Sequence, residues 1–158
     1  MKKLNASGFA HQVLILALVV VAVIGGIGSY IYLRKSSAAV SPAAVCGSGY
    51  SIVKSSSTGR SILYVLKNAG AKKFCVINLA TGTAYGTSKP MLAVGFLQNK
   101  TTGIQKNYAQ NNGTFKYYAG PVYVSYNGYS SSKWFMGAKG DMYISNFNYR
   151  SSINYVSW

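Results

Sequence analysis

The chain has 158 residues and a formal net charge of +15, from 16 lysines and arginines against a single acidic residue. One carboxylate cannot form the acid pair of a glycosidase. The one histidine, His11, lies near the start of the chain, so neither a Ser-His-Asp triad nor a metal cluster is expected in the remainder. We therefore expect no enzymatic activity, no cofactor and no small-molecule substrate.

Residues 13–33 are uncharged and predict a transmembrane helix after a short basic N-terminal segment, residues 1–12. As a helix this stretch is roughly 31 Å long, which matches the hydrocarbon core of a bilayer. The charges on its two sides are balanced, so its orientation rests on Cys46 and Cys75. These two cysteines can pair in an exported domain but generally not in the cytosol. We expect a single-pass protein of the cell membrane with its N-terminus inside.

The N-terminal span has two other possible fates. The opening sequence MKKLNASGFA resembles a type IV prepilin leader, which implies cleavage between Gly8 and Phe9 and assembly of the chain with copies of itself in a filament. The glutamate that this family carries five residues into the mature chain is replaced here by Val13. Cleavage after Ala39 or Ala43 would instead release a secreted cationic factor. The uncleaved anchor is the preferred interpretation.

Residues 34–45 are small and uncharged apart from the first two, and they predict a linker. Residues 46–158 predict one extracytoplasmic domain that is all-β, a small antiparallel sandwich or barrel of about seven or eight strands. The predicted strands are 50–53, 62–66, 74–77, 91–97, 115–118, 122–126, 142–144 and 153–156. Turns are predicted at 111–113 and 137–140, with Asp141 as a turn residue, and a two-residue hairpin at Asn127-Gly128.

Three segments and one tryptophan of this domain resemble the actinomycete spore-associated protein A family. The segments are Cys46-Gly47-Ser48-Gly49-Tyr50, then 73–76 (KFCV) and 117–124 (YYAGPVYV), and the tryptophan is Trp134. The resemblance spans about residues 46–138 and implies a secreted, disulfide-linked β-domain found at cell surfaces, with no implied reaction. Family members tend to carry a second cysteine pair, and the segment after about residue 138 is additional in this chain.

Twelve of the cations lie in the predicted domain with the one carboxylate, giving this part a formal charge of +11. Basic and aromatic side chains together offer charges for phosphates and flat faces for sugars or bases. The candidate polyanion-binding residues are Lys54, Arg60, Lys67, Lys72, Lys73, Lys116, Lys133, Lys139, Arg150, Tyr117, Tyr126 and Trp134. The sequence therefore predicts a surface-exposed, noncatalytic module that binds anionic wall polymers, polysaccharide, extracellular DNA or a partner cell surface.

Overall fold

A computed structural model describes residues 40–158, which contain one short helix and eight strands. The helix is α1 (Pro42–Cys46). The strands are β1 (Ser51–Ser57), β2 (Ser61–Asn68), β3 (Lys73–Ala80), β4 (Lys89–Asn99), β5 (Gln105–Phe115), β6 (Tyr118–Ser125), β7 (Trp134–Ile144) and β8 (Phe147–Val156), with a 3₁₀ turn at Gly82–Ala84.

The eight strands form two antiparallel sheets of four. Sheet 1 has the order β1-β2-β3-β6 and sheet 2 has the order β5-β4-β7-β8. Every neighbouring pair is antiparallel. The predicted all-β sandwich of about eight strands is thus confirmed. The predicted membrane span and the candidate processing residues Gly8 and Phe9 lie outside the described residues. Within residues 40–158, no helix has the length and apolar character needed to cross a bilayer.

The main core lies between the two sheets. Leu63 and Phe74 of sheet 1 and Leu97 and Met136 of sheet 2 are fully buried there, because alternate side chains of each strand point inward. β3, with the sequence KFCVINLA, is buried on both of its faces, since its seven residues after Lys73 are all buried. A continuous apolar run is the pattern expected of a strand with no solvent face.

The outer face of sheet 1 is covered by the beginning of the described chain. Val40, Ala43 and Val45 pack with Leu66 and Ile77 of β2 and β3. The covalent bond between Cys46 and Cys75 fastens α1 to β3, so the predicted pairing of the two cysteines is confirmed. The linker predicted over residues 34–45 is therefore wrong in its second half, because residues 40–45 belong to the folded domain. Their small apolar side chains cover a sheet face.

Several predicted boundaries are wrong. The turn predicted at 111–113 lies inside β5, and the predicted strand 115–118 is interrupted at residues 116–117, which connect β5 to β6. The turn predicted at 137–140 lies inside β7, where Asp141 is also a strand residue and pairs with Arg150 of β8. Glycines stand at 137 and 140 because a Cβ there would lie within 3 Å of Phe96 and Asn78 side-chain atoms, respectively.

The two-residue hairpin lies elsewhere than predicted. At Asn127-Gly128 the chain does turn, but it passes from β6 in sheet 1 to β7 in sheet 2 and forms no hairpin. The turn that joins a paired hairpin is Ser145-Asn146, between β7 and β8. Both residues have positive φ, 47° and 68°, as a type I′ turn requires.

Candidate functional site

Six lysines lie at one end of the sandwich, which we call the lysine-rich end. They occupy the β2–β3, β4–β5 and β6–β7 connections and the strand ends next to them. Antiparallel pairing brings these connections to the same end, as the pairs Asn68 with Lys73 and Asn99 with Trp134 show. The lysine-rich end comprises Lys67, Lys72, Lys73, Lys100, Lys106 and Lys133.

Hydrogen bonds hold the three connections together. Lys72 Nζ donates to Asn127 Oδ1 at 3.5 Å, and the Lys72 carbonyl accepts from the Tyr126 amide at 3.0 Å. Lys100 donates its amide to the Lys133 carbonyl at 2.9 Å and its Nζ to the Ser131 carbonyl at 2.6 Å. These bonds link the three connections to one another, and each of the six side chains except the half-buried Lys67 is exposed.

No side-chain carboxylate neutralises the lysine-rich end. The single acid, Asp141, is paired in register with Leu92 in the other half of sheet 2. It forms a 3.8 Å ion pair with Arg150, whose side chain is largely exposed. Among the described residues, His, Cys, Asp and Glu form no group of three that could hold a metal ion. The chemistry available at this end is therefore attraction of anions by uncompensated ammonium groups.

Two of the three aromatic residues predicted to accompany these lysines, Tyr126 and Trp134, pack in or against the core instead. Tyr126 is 7% exposed, and its ring lies on those of Phe74 and Trp158, with both centroid distances 5.1 Å. Trp134 is half-buried against Tyr129. The prediction that Tyr126 offers a free face for stacking is wrong, because its ring closes the end of the hydrophobic core.

The other predicted binding residues lie elsewhere. Lys54 is on edge strand β1, where its Nζ donates to the Asn154 carbonyl of β8 at 3.3 Å. Arg60, Lys116 and Tyr117 are at the opposite end of the sandwich, in the β1–β2 and β5–β6 connections. Lys139 and Arg150 are on the outer face of sheet 2. Four of the nine predicted cations, Lys67, Lys72, Lys73 and Lys133, therefore share one site.

Exposed aromatic residues outside the predicted set include Tyr108 and Tyr155. Tyr108 of β5 is 56% exposed, and Tyr155 of β8 is 70% exposed with its ring stacked on Phe135 at 4.4 Å. Register places Phe135 opposite Gln98, one residue from the end of β4 that joins the lysine-rich end. The sequence signal for these residues was their alternation with polar neighbours, which does not distinguish the two faces of a strand until the partner strands are known.

The segments that resemble spore-associated protein A meet on the outer face of sheet 1. The Tyr123 hydroxyl donates to the Cys46 carbonyl at 3.1 Å, and the ring of Tyr50 lies 5.8 Å from that of Tyr123. Burial, and secondly the charge of Tyr123, raises the pKa of Tyr50. Gly120 has a φ of 105°, and a Cβ there would lie 2.6 Å from the Val76 carbonyl oxygen. These segments therefore attach the start of the domain to the sheet.

The two sheets and the covalent link define a disulfide-bonded antiparallel β-sandwich. The chain is similar to spore-associated protein A of Streptomyces coelicolor, with 35% identity over 85 residues. The match covers 53% of this chain and 51% of the relative, so it spans about half the length of each protein. The predicted resemblance to that family is thus confirmed. No family model matches the sequence, and no solved structure matches the fold.

Proposed function

We propose that this protein is a membrane-anchored, surface-exposed binding module that acts without catalysis and holds anionic polymers at its lysine-rich end. The observation that supports the proposal most strongly is the grouping of six lysines on one end of a domain whose single acid is paired elsewhere. Either sign of charge gives solubility, so a domain that avoids acids this completely favours a polyanionic partner.

Two observations support exposure at the cell surface. The disulfide between Cys46 and Cys75 is typical of oxidising compartments, and the relative is named for its association with spores.

The proposed membrane anchor is the uncharged segment of residues 13–33, and the mass of the mature N-terminus tests whether it is retained. An intact Met1 in the membrane fraction supports an anchor. A chain beginning at Phe9 would point to a filament subunit, and one beginning after Ala39 or Ala43 to a released factor.

The binding mechanism is the release of counterions from a polyanion by the lysine ammonium groups, with Tyr108 and Tyr155 available for contacts with rings. Each phosphate neutralised adds about 0.9 to the slope of log affinity against log salt for duplex DNA. Four such contacts would therefore weaken binding by roughly two orders of magnitude between about 50 and 200 mM salt. An uncharged polymer should therefore gain no binding affinity from the lysine ammonium groups.

The test measures binding of the full chain, in a neutral detergent, to duplex DNA, to alginate and to uncharged dextran over that range of salt. We expect DNA and alginate to bind with steep salt dependence and dextran not to bind. Binding to DNA and alginate that does not change with salt would refute the electrostatic mechanism.

A matched pair of triple variants locates the surface. Both remove three positive charges from exposed lysines, so they lower the net charge equally. The test variant carries Lys72→Gln, Lys73→Gln and Lys133→Gln, and the control carries Lys54→Gln, Lys116→Gln and Lys139→Gln. We expect the salt slope to fall by about 2.7 in the test variant and by much less in the control. Equal losses would show that net charge, and not the lysine-rich end, determines binding.

A further inference from the structure

A cleft of about 430 Å³ lies at the end of the sandwich opposite the lysine-rich end. It is formed where the β1–β2, β3–β4 and β7–β8 connections meet the first residues of β4. Its lining combines two cations, several hydroxyls and two tyrosine rings. The residues that matter here are Arg60, Thr83, Thr87, Lys89, Tyr143 and Tyr149.

Lys89 is the buried cation of this cleft. Its residue is 4% exposed, and its Nζ donates to the carbonyls of Thr87 and, at 3.3 Å, Lys116. An ammonium group has three protons to donate, so two carbonyls leave one unaccounted for. Burial lowers the pKa of Lys89, and the single acid of the chain, Asp141, is engaged with Arg150. A buried positive charge without a carboxylate partner favours a bound anion.

Arg60 supplies the second cation of the lining. Its guanidinium donates to the Thr83 hydroxyl, which fixes one branch of an otherwise exposed side chain. A guanidinium has five donors in a planar fork, so the remaining donors can bind both oxygens of a carboxylate or phosphate. The Arg60 carbonyl also accepts from the Thr81 amide at 2.9 Å, which ties the β1–β2 connection to the β3–β4 connection.

The tyrosines set the size and shape of what can enter. Tyr149 is half-buried, and Tyr143 is 44% exposed; the hairpin turn Ser145-Asn146 lies between them in the chain. The volume falls within the range of small-ligand clefts and is far too small for a folded partner. Hydroxyls, aromatic faces and two cations together suit a sugar ring that carries an acidic group.

We propose that this cleft binds a saccharide unit bearing one oxyanion group, either a sugar carboxylate or a sugar phosphate. Arg60 and Lys89 receive the oxyanion, while the tyrosine rings and the threonine hydroxyls contact the ring. This site is separate from the lysine-rich end and does not depend on the function proposed for it.

The test is calorimetric titration of the full chain, in neutral detergent, with four probes: glucuronate, glucose 6-phosphate, glucose and inorganic phosphate. We expect at least one of the two charged sugars to bind, with roughly tenfold or greater preference over both glucose and phosphate. Absence of binding by both charged sugars up to about 10 mM would overturn the proposal. If inorganic phosphate bound as tightly as the charged sugars, the proposed contacts of the tyrosines and threonines with the sugar ring would be refuted.

Variants then place the ligand in the cleft. Arg60→Gln removes an exposed charge, so it leaves the core intact, and we expect it to weaken the charged sugar about tenfold. The control is Lys116→Gln, which removes an exposed charge from the same end outside the cleft lining. Unchanged affinity in Arg60→Gln, or equal losses in both variants, would overturn the proposal. Chemical shifts of Tyr143 and Tyr149 should move on binding in the wild type.

Discussion

Removal of the disulfide tests the attachment of α1 to sheet 1. The bond joins residues 29 apart in the chain. For a closed loop of that length, the chain-entropy model gives a stabilisation of about 3–4 kcal/mol. In a domain of this size each kcal/mol changes the melting temperature by about 4 °C, so we expect the Cys46→Ala, Cys75→Ala variant to melt about 12–16 °C lower.

The assay is thermal unfolding followed by circular dichroism, with and without a phosphine reductant. Reduction of the wild type keeps both sulfur atoms and opens the loop, so it separates the effect of the cross-link from the loss of packing. We expect reduction to lower the wild-type melting temperature by most of the same amount and to leave the double variant unchanged. A wild-type change below about 4 °C would refute the assignment of this stability to the closed loop.

Three further predictions concern single residues. Gly95→Ala should lower the free energy of unfolding by about 1–3 kcal/mol in urea titrations, because the new Cβ would lie 2.8 Å from Val124 Cγ2; an unchanged midpoint would contradict this packing. Burial lowers the folded pKa of Lys89 below its ordinary 10.5, so near that pH the unfolded chain binds more protons than the folded chain. The stability of the wild type should therefore rise relative to that of Lys89→Met as pH increases toward 10.5. Parallel pH profiles of these two proteins would refute it. The raised folded pKa of Tyr50 contributes stability that is present below pH 10.0 and is lost as pH rises through the folded pKa. The free energy of unfolding of Tyr50→Phe should therefore fall less than that of the wild type at alkaline pH in the same titrations.

The strands with apolar faces were predictable from the sequence, and strand β5 was not. β2, β3 and β4 carry runs of apolar and β-branched residues because they line the core. β5 reads QKNYAQNNGTF and has no buried residue, since it is an edge strand of sheet 2. Its conformation depends on backbone pairing with β4, which leaves no hydrophobic pattern in its own sequence.

Glycine misled the prediction of turns for a related reason. Gly137 was interpreted as a turn former, yet it lies in the middle of sheet 2 because the Phe96 ring occupies the space of its Cβ. Ser145 and Asn146 form the true type I′ turn without any glycine. A glycine required by a tertiary contact and one required by positive φ look alike in a single sequence.

The sequence predicted that the binding site would be basic, but it could not predict which lysines form it. The excess of lysine over acid is visible in the sequence, whereas grouping lysines by sandwich end needs the order and direction of the strands. Lys139 and Lys133 are six residues apart, but β7 carries one along the outer face of sheet 2 while the other stays at the lysine-rich end. Lys89 was counted only in the net charge of the domain and was not among the predicted binding residues, because burial of a lysine leaves no signal in its neighbours.

The three quoted segments that resemble spore-associated protein A form part of the scaffold. The quoted segments meet around Cys46, Cys75 and Tyr123, where they attach the start of the domain to sheet 1. Of the six lysines at the lysine-rich end, Lys73 alone falls within those segments. Val40, the first described residue, lies at the opposite end, where its amide donates to the Tyr85 hydroxyl at 3.3 Å. These segments therefore hold the scaffold together, while binding has to be tested separately at the lysine-rich end and at the cleft of Arg60 and Lys89.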